Sequence, residues 1–182
     1  FLLSQGASAR TARSGKDRGW SPLFWAVGWG ARVDMVNLLL DHGADILARA
    51  DNHGAADDSC LHAASRYESN GDVVSLLLSR GGDALLTARC GDGDSRDNGC
   101  TPLHAAVKLG HDGVARILLR HGAALDAFAA AGLGMSDWLA QLGADLGAAD
   151  ANGWTPLHWA SSCGRSETVR YLLDKGVSSD AR

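Results

Sequence analysis

The sequence has no apolar run near the roughly 20 residues that a helix needs to span a bilayer. We expect no signal peptide in it either, because Phe1-Leu2-Leu3 is followed at once by polar residues. It also lacks the excess of positive charge that nucleic-acid binders usually carry, since its formal net charge is -4. We interpret the cluster of Arg10, Arg13, Lys16 and Arg18 as a solvated loop rather than a phosphate-binding patch. We therefore expect no membrane insertion and no nucleic-acid partner.

Sequence motifs for metal binding and catalysis are absent as well. The four cysteines form no Cys-x-x-Cys pair, which removes the usual zinc signal. No phosphate-binding Gly-x-x-x-x-Gly-Lys-Ser/Thr, no Gly-x-Ser-x-Gly and no His-Glu-x-x-His is found. We therefore predict that the chain is not an enzyme and has no catalytic residues, no metal site and no cofactor. Free thiols and an intracellular, cytoplasmic location are expected, since nothing indicates secretion.

The segment from Cys90 to Gly99 is rich in Asp and Gly, like a calcium-binding loop. An EF-hand loop needs an acid or Asn at its fifth position, Gly at its sixth and Glu at its twelfth. Counted from Asp92, these positions hold Arg96, Asp97 and Leu103, so the match fails. We predict a flexible insertion, with weak cation binding and a bridge between Cys90 and Cys100 as the alternatives.

A repeated segment organises most of the chain. Thr101-Pro102-Leu103-His104-Ala105-Ala106 recurs as Thr155-Pro156-Leu157-His158-Trp159-Ala160, and weaker copies start at Ser21 and Ser59. Each copy is followed by an apolar run that ends in glycine, at Gly43, Gly81, Gly122 and Gly176. A repeat of this kind must be recognised first, because it determines the whole architecture.

Each unit is predicted to form two short helices. Thr or Ser before Pro is a helix N-cap followed by a first helical position, where the missing N–H of Pro does no harm. The glycine after the Leu-rich run is a C-cap that accepts a positive φ. Small residues such as Ala64, Ala106 and Ala160 let the first helices pack closely, and the Leu rows of the second helices are buried between units.

The pattern resembles the ankyrin repeat, with its Gly-x-Thr-Pro-Leu-His core and its Gly-Ala-Asp ending, over nearly the whole chain. The resemblance implies an all-α solenoid of stacked helix-turn-helix units joined by turns or short β-hairpins. It implies a structural role for His62, His104 and His158, which would form hydrogen bonds between neighbouring units. It also implies about five units and a partial one at the amino-terminal end.

The glycines that end the second helices set the unit lengths. Gly6, Gly43, Gly81, Gly122, Gly143 and Gly176 are separated by 37, 38, 41, 21 and 33 residues, against a family period of about 33. We predict one domain over residues 1–182. Its units are approximately 1–15 (partial), 16–50, 51–89, 90–125, 126–149 (degenerate) and 150–182 (C-terminal cap).

The degenerate unit lacks the Thr-Pro-Leu-His segment, but Phe128–Gly132 and Trp138–Leu142 are still predicted to form its two helices. Phe1–Gly6 resembles the second helix of a unit, so we expect additional repeats upstream in a longer chain. Ser166 and Thr168 stand where earlier units are more apolar, which predicts a wetter outer face on a terminal cap. Exposed Leu on that face would instead indicate further repeats.

The family resemblance places partner contacts beside the turn and at the end of each first helix. Mapped onto this sequence, the partner-binding residues are Asp17, Arg18, Trp20 and Trp29 in the first full unit, Asn52, His53, Arg66 and Tyr67 in the second, Asp97, Asn98, Lys108 and Leu109 in the third, and Asn152, Trp154 and Ser162 in the last. Aromatic and Arg side chains of this kind often dominate binding energy. Packing stays an alternative to contact for Trp20, Trp29, Tyr67 and Trp154.

The leading hypothesis for function is a non-enzymatic scaffold that binds protein partners through a concave groove. A second hypothesis is a targeting or regulatory module of a larger enzyme or channel, which the start within a repeat suggests. A third is a structural subunit of a large assembly. The fold class cannot choose among them, because one fold serves many functions.

Overall fold

The computed structural model describes residues 20–28, 32–52, 55–91, 98–143 and 145–179. Within these ranges the elements are α1 (Pro22–Gly28), α2 (Val33–Asp41), β1 (Arg49–Asn52), β2 (Ala55–Ser59), α3 (Cys60–Ser65), α4 (Gly71–Ser79), α5 (Pro102–Lys108), α6 (Asp112–Arg120), α7 (Ala127–Leu133), α8 (Ser136–Leu142), α9 (Pro156–Ser162) and α10 (Ser166–Asp174). The expected partial unit at Phe1–Gly6 and the loop 92–97 lie outside the described residues.

The helices form antiparallel pairs that stack side by side in two layers. The first helices contact one another in the order α1, α3, α5, α7 and α9. The second helices contact one another from α2 through α4 to α6, and α8 contacts α10. Each pair therefore covers the flank of the next, and the prediction of an all-α solenoid is confirmed.

The predicted helix caps are present at both ends of the units. The Ser59 and Thr101 hydroxyls accept the backbone N–H of the residue three positions on, at 3.2 and 3.4 Å. The glycines that end the second helices have φ between 60° and 99°. Capping residues are reliable predictors of helix ends, because they satisfy the backbone N–H and C=O groups that a helix leaves without partners at its two ends.

The second unit begins with the one β-hairpin in the described residues. Strands β1 and β2 pair antiparallel, with Arg49 opposite Ser59 and Ala50 opposite Asp58. The register shifts between Ala50 and Asn52. The extra residues of this unit lengthen the second strand, so the insertion extends the connection between units and leaves the helix pair unchanged.

The core is continuous along the stack. Leu77, Leu118 and Leu172 occupy equivalent positions of three second helices, and all are fully buried. The predicted small residues Ala64, Ala106 and Ala160 are also fully buried. Polar contacts cross between units too, since the Asn70 side chain donates to the Val27 carbonyl at 3.1 Å.

The outer face of the last unit is less polar than the sequence predicted. Thr168 is buried, and its hydroxyl shares a hydrogen bond of 2.9 Å with that of Ser136 in the preceding unit. Ser166 is exposed as expected, but Leu173 on the same helix is 44% exposed. Thr168 was therefore wrongly assigned, because its position faces back toward the stack and the hydroxyl found a partner there.

The degenerate unit forms both predicted helices, and Gly132 explains how closely they pack. A Cβ at residue 132 would overlap Val107 Cγ1 and lie 3.3 Å from Cys163 Sγ. Small side chains on α7 leave room for the large Trp159 indole of the next unit, which is fully buried. The small side chains of α7 and the large side chain of Trp159 together fill the space between the two units.

Replacement of Gly132 by Ala should destabilise the protein, because the stiff, buried Val107 side chain has little freedom to move away. We expect Gly132→Ala to lower the free energy of unfolding by about 1–3 kcal/mol, measured by urea denaturation. The matched control is Gly28→Ala, since a Cβ at residue 28 meets nothing within 4 Å. That control should be neutral or stabilising by up to about 1 kcal/mol. Equal losses in both variants would contradict the packing account.

Candidate protein-binding surface

His62 and His104 join neighbouring units, as the family resemblance implied, whereas in the described residues the hydrogen bonds of His158 stay within its own unit. The Ser59 backbone N–H points at Nδ1 of His62 at 3.4 Å, and His62 Nε2 lies 3.0 Å from the Cys100 carbonyl oxygen of the next unit. Because Nδ1 accepts a proton donor, the ring proton is on Nε2, which donates to Cys100. Each such histidine thus caps its own helix and anchors the turn of its neighbour.

His104 makes the same connection to a different partner. Its Nδ1 accepts the Thr101 backbone N–H at 3.2 Å, and Nε2 lies 2.9 Å from a carboxylate oxygen of Asp126. The other Asp126 oxygen caps α7 by accepting the Ala129 N–H at 2.9 Å. Burial acts to raise the pKa of the Asp126 carboxyl, but the bond and charge of His104 outweigh it, so the pKa is lowered.

His62 is held neutral by its surroundings. Burial is the largest influence and lowers the pKa of His62 from 6.5 to about 4, against the opposing charge of Asp58. A neutral imidazole retains the lone pair on Nδ1 that the helix cap requires. The cap that His62 Nδ1 forms with the Ser59 N–H therefore depends on pH.

The turns of the third and last units meet directly, because the degenerate unit between them has no turn. The Asn152 side chain donates to the Asn98 carbonyl at 3.2 Å. Beneath this contact lies a cavity of about 130 Å³ lined by Arg89, His104, Asp126 and other residues. The row of turns therefore has one turn fewer than the units but continues directly from the third unit to the last.

The ends of the first helices present a second feature, which we call the helix-end row. It consists of Arg66, Tyr67, Lys108, Leu109 and Ser162. Tyr67 and Leu109 stand at equivalent positions of the second and third units and are 45% and 52% exposed. The row therefore carries exposed apolar side chains at the same place in two adjacent units.

Two cationic members of the row have partners within the chain. Arg66 forms an ion pair of 3.1 Å with Asp58, whose side chain is fully buried. The Lys108 ammonium lies 5.1 Å from the centroid of the Trp154 ring and 6.0 Å from that of Trp159. These contacts restrain the Arg66 and Lys108 side chains at the edge of the helix-end row.

The other predicted contact residues are divided between the surface, the core and the segments outside the described residues. Trp20 is only 2% exposed and packs on Phe24 with ring centroids 5.3 Å apart, so its side chain belongs to the core. Asn98, Asn152 and Trp154 are partly exposed. Asn52 lies in β1, where only its backbone is described. Asp17, Arg18, Trp29, His53 and Asp97 lie outside the described residues.

Sequence reasoning missed the acidic side chains that organise the shortened unit. Asp126 caps a helix and accepts from His104, and Asp150 accepts the Trp159 indole N–H at 2.9 Å. One signal could have found the first, since Asp is a preferred N-cap residue and Asp126 directly precedes α7. The Trp159 contact has no comparable local signal.

Other chemistry finds little support in the described residues. There, no group of three or more His, Cys, Asp or Glu side chains could hold a metal ion. None of the four cysteines is part of a disulfide, so Cys90 and Cys100 form no bridge. No helix in the described part of the chain is long and apolar enough to cross a membrane. The expectation that the chain is not an enzyme stays a prediction.

The comparisons with protein families agree with this geometry. The family model for ankyrin repeats (3 copies) matches residues 47–129 and 124–182, and that for a single ankyrin repeat matches residues 18–51. The chain belongs to the ankyrin-repeat family. It is a protein-interaction module built from these repeats.

Several curated relatives share the repeats. The chain is 32% identical over 162 residues to neurogenic locus notch homolog protein 1 of Danio rerio and 34% identical over 162 residues to neurogenic locus notch homolog protein 2 of Homo sapiens. It is 36% identical over 152 residues to neurogenic locus notch homolog protein 1 of Mus musculus. These matches cover 81%, 81% and 76% of this chain, which spans about 6% of the length of each relative.

Acid should destabilise the stack through His62. The unfolded chain takes up a proton near the ordinary pKa of 6.5, whereas folded His62 does so only near 4. The contribution of neutral His62 to the free energy of unfolding is therefore fully present above pH 6.5. As the pH falls to 4, protonation of this group lowers the free energy of unfolding by about 3 kcal/mol. Urea denaturation between pH 7.5 and 4 measures this slope.

The variant His62→Gln should lose this part of the pH dependence, because Gln does not titrate. His42→Gln is the control, since His42 is exposed and follows α2 away from the inter-unit hydrogen bonds. An unchanged slope in His62→Gln would show that another group causes the acid sensitivity.

Proposed function

We propose that the chain binds a protein segment across the helix-end row and the adjoining turns. The supporting observation is the repeated exposure of apolar side chains at one position, Tyr67 and Leu109. These residues follow α3 and α5, which are in direct contact, so the two side chains belong to one surface. Neighbouring residues such as Ala64 and Ala106 are fully buried, so the exposure is local.

The composition of the row suits partner recognition. A Tyr and a Leu supply apolar area, and cations on either side offer hydrogen bonds to carbonyl or carboxylate groups. Lys108 is already positioned over Trp154, so its stem loses little freedom when a partner binds. Arg66 is restrained in the same way by Asp58. The row therefore favours an extended partner segment with apolar side chains and some acidic groups.

The turns would add specificity to this contact. Asn98 and Asn152 are joined by a hydrogen bond, so they present a defined edge beside the row. Predicted contacts at Asp17, Arg18, Trp29, Asn52, His53 and Asp97 stay predictions. The two other hypotheses, a module of a larger enzyme or channel and a structural subunit, also stay predictions, as does the intracellular location.

The test compares two double variants of the chain in binding titrations with each partner found by affinity capture. Tyr67→Ala with Leu109→Ala should weaken binding at least about tenfold, since truncating central anchors commonly costs more than 1 kcal/mol each. The thermal midpoint should change little, because both side chains are exposed.

The matched control is Leu38→Ala with Leu142→Ala. These side chains are 46% and 40% exposed but lie on second helices, away from the helix-end row. The control should bind like the wild type. Equal affinity of all three proteins for a verified partner would disprove the assignment of this surface.

A further inference from the structure

The missing turn of the degenerate unit leaves a polar cavity between the turns of the third and last units, which we call the turn cavity. Its volume is about 130 Å³, several times the roughly 15 Å³ that one water molecule needs. The cavity is therefore large enough to hold the end of one long side chain. The lining residues that decide its chemistry are Arg89, Asp126, Phe128, Asp150, Ala151 and Trp159.

Two carboxylates line the turn cavity, and each is held in place by hydrogen bonds from its surroundings. Asp150 accepts the Trp154 backbone N–H and the Trp159 indole N–H, both at 2.9 Å. One Asp126 oxygen accepts the Ala129 N–H at 2.9 Å, and the other lies 2.9 Å from Nε2 of His104. Both side chains are therefore fixed at the cavity by the shortened unit and its neighbours.

Neither carboxylate forms an ion pair with a Lys or Arg side chain. Within the part of the chain that the structure describes, no Lys or Arg nitrogen lies within 4.0 Å of the Asp126 or Asp150 oxygens. Arg89 lines the same cavity, but its guanidinium donates to the Gly99 carbonyl oxygen at 2.7 Å. With His104 counted as neutral, the lining has two formal negative charges and one positive charge, so its charge favours a further cation.

The remaining lining suits the stem of a long basic side chain. Phe128 and Trp159 supply aromatic surface against which methylene groups can pack. Lys and Arg carry such a stem and end in a group that donates several hydrogen bonds. A carboxylate has about four acceptor positions, so the bonds already made to Asp126 and Asp150 leave some of them open. An acidic or a purely apolar side chain would match only part of this lining.

The turn cavity adjoins the helix-end row. The Trp159 indole lines the cavity, and the ammonium of Lys108 in the row lies 6.0 Å from the centroid of the same indole. The hydrogen bond between Asn98 and Asn152 lies over the cavity and forms the edge beside the row. A segment that binds along the row and this edge therefore passes within reach of the cavity.

We propose that the turn cavity binds a lysine or arginine side chain of the partner segment that crosses the helix-end row. The cationic head lies beside Asp126 and Asp150, and the stem packs on Phe128 and Trp159. The identity of the donor rests on the proposed function, whereas the preference of the cavity for a cation does not. Since the row favours acidic groups near Lys108, the partner segment carries charges of both signs in a fixed order.

The first experiment places a basic side chain in the turn cavity without any partner. Ala151 is exposed and lines the cavity, so Ala151→Lys brings an ammonium close to Asp126 and Asp150. We expect the thermal midpoint to rise by about 2–4 °C. Ala151→Met adds a similar stem without a charge and should leave the midpoint nearly unchanged, whereas Ala151→Glu should lower it.

Two comparisons separate the cavity from a general benefit of positive charge. Ala140→Lys is the matched control, since Ala140 is exposed on α8 outside the cavity, and its gain should be smaller. The gain from Ala151→Lys should disappear in an Asp150→Asn background, because the loss caused by Asp150→Asn alone cancels in this comparison. Asp126→Asn serves in the same way if Asp150→Asn does not fold. Equal gains at residues 140 and 151, or a higher midpoint for Ala151→Glu than for Ala151→Lys, would overturn the inference.

The second experiment uses a free side chain as the probe. N-acetyl-lysine amide should shift the NMR resonance of the Trp159 indole N–H, which donates to Asp150. N-acetyl-norleucine amide has a similar stem without the ammonium and should cause no shift. Ala151→Lys should abolish the response, since its own side chain fills the cavity. Equal responses to the two probes would overturn the inference and leave the helix-end row untouched.

A partner found by affinity capture separates this inference from the proposed function. Alanine substitution of one Lys or Arg in its bound segment should weaken binding at least about fivefold. The same substitution should have no effect on binding to Ala151→Lys. A partner that depends on Tyr67 and Leu109 but on none of its own Lys or Arg residues would overturn this inference alone. The reverse dependence would support the cavity and disprove the helix-end row.

Discussion

The fold depends on each helix pair having its apolar flank covered by the next pair. No single pair buries enough surface to be stable alone, because its two short helices enclose almost no core between them. His62 and His104 give this stacking a direction, since each accepts from its own helix cap and donates to the following unit. Apolar burial thus supplies most of the stability, while the polar bonds set the register between layers.

Features that depend on a few neighbouring residues could be predicted from the sequence. The Thr-Pro starts and glycine ends located the helices, because caps satisfy local backbone groups. The helices of the degenerate unit were predicted for the same kind of reason. In contrast, Thr168 was misplaced on the outer face, since its surroundings depend on Ser136 in another unit. Gly132 gave no local signal, because its role depends on Val107 and Trp159.

The exposure of Tyr67 and Leu109 on the candidate surface could be predicted, but the contacts of the neighbouring side chains could not. Tyr67 and Leu109 follow the repeat core at a fixed offset, and both are exposed. The burial of Trp20 and the pairing of Arg66 with Asp58 depend on three-dimensional neighbours that the repeat pattern does not specify. Arg66 illustrates the difference, since its carboxylate partner is provided by the strand of the extended hairpin.

The shortened unit shows that a layer of helices and its turn can be gained or lost separately. Asp126 retains the cap and the bond to His104, while Asn98 and Asn152 close the gap where a turn is absent. A deletion of this size therefore alters the outward-facing edge while the interior remains filled. Evolution could exchange the recognition properties of such a stack by removing turns, with no need to redesign the packing that keeps it folded.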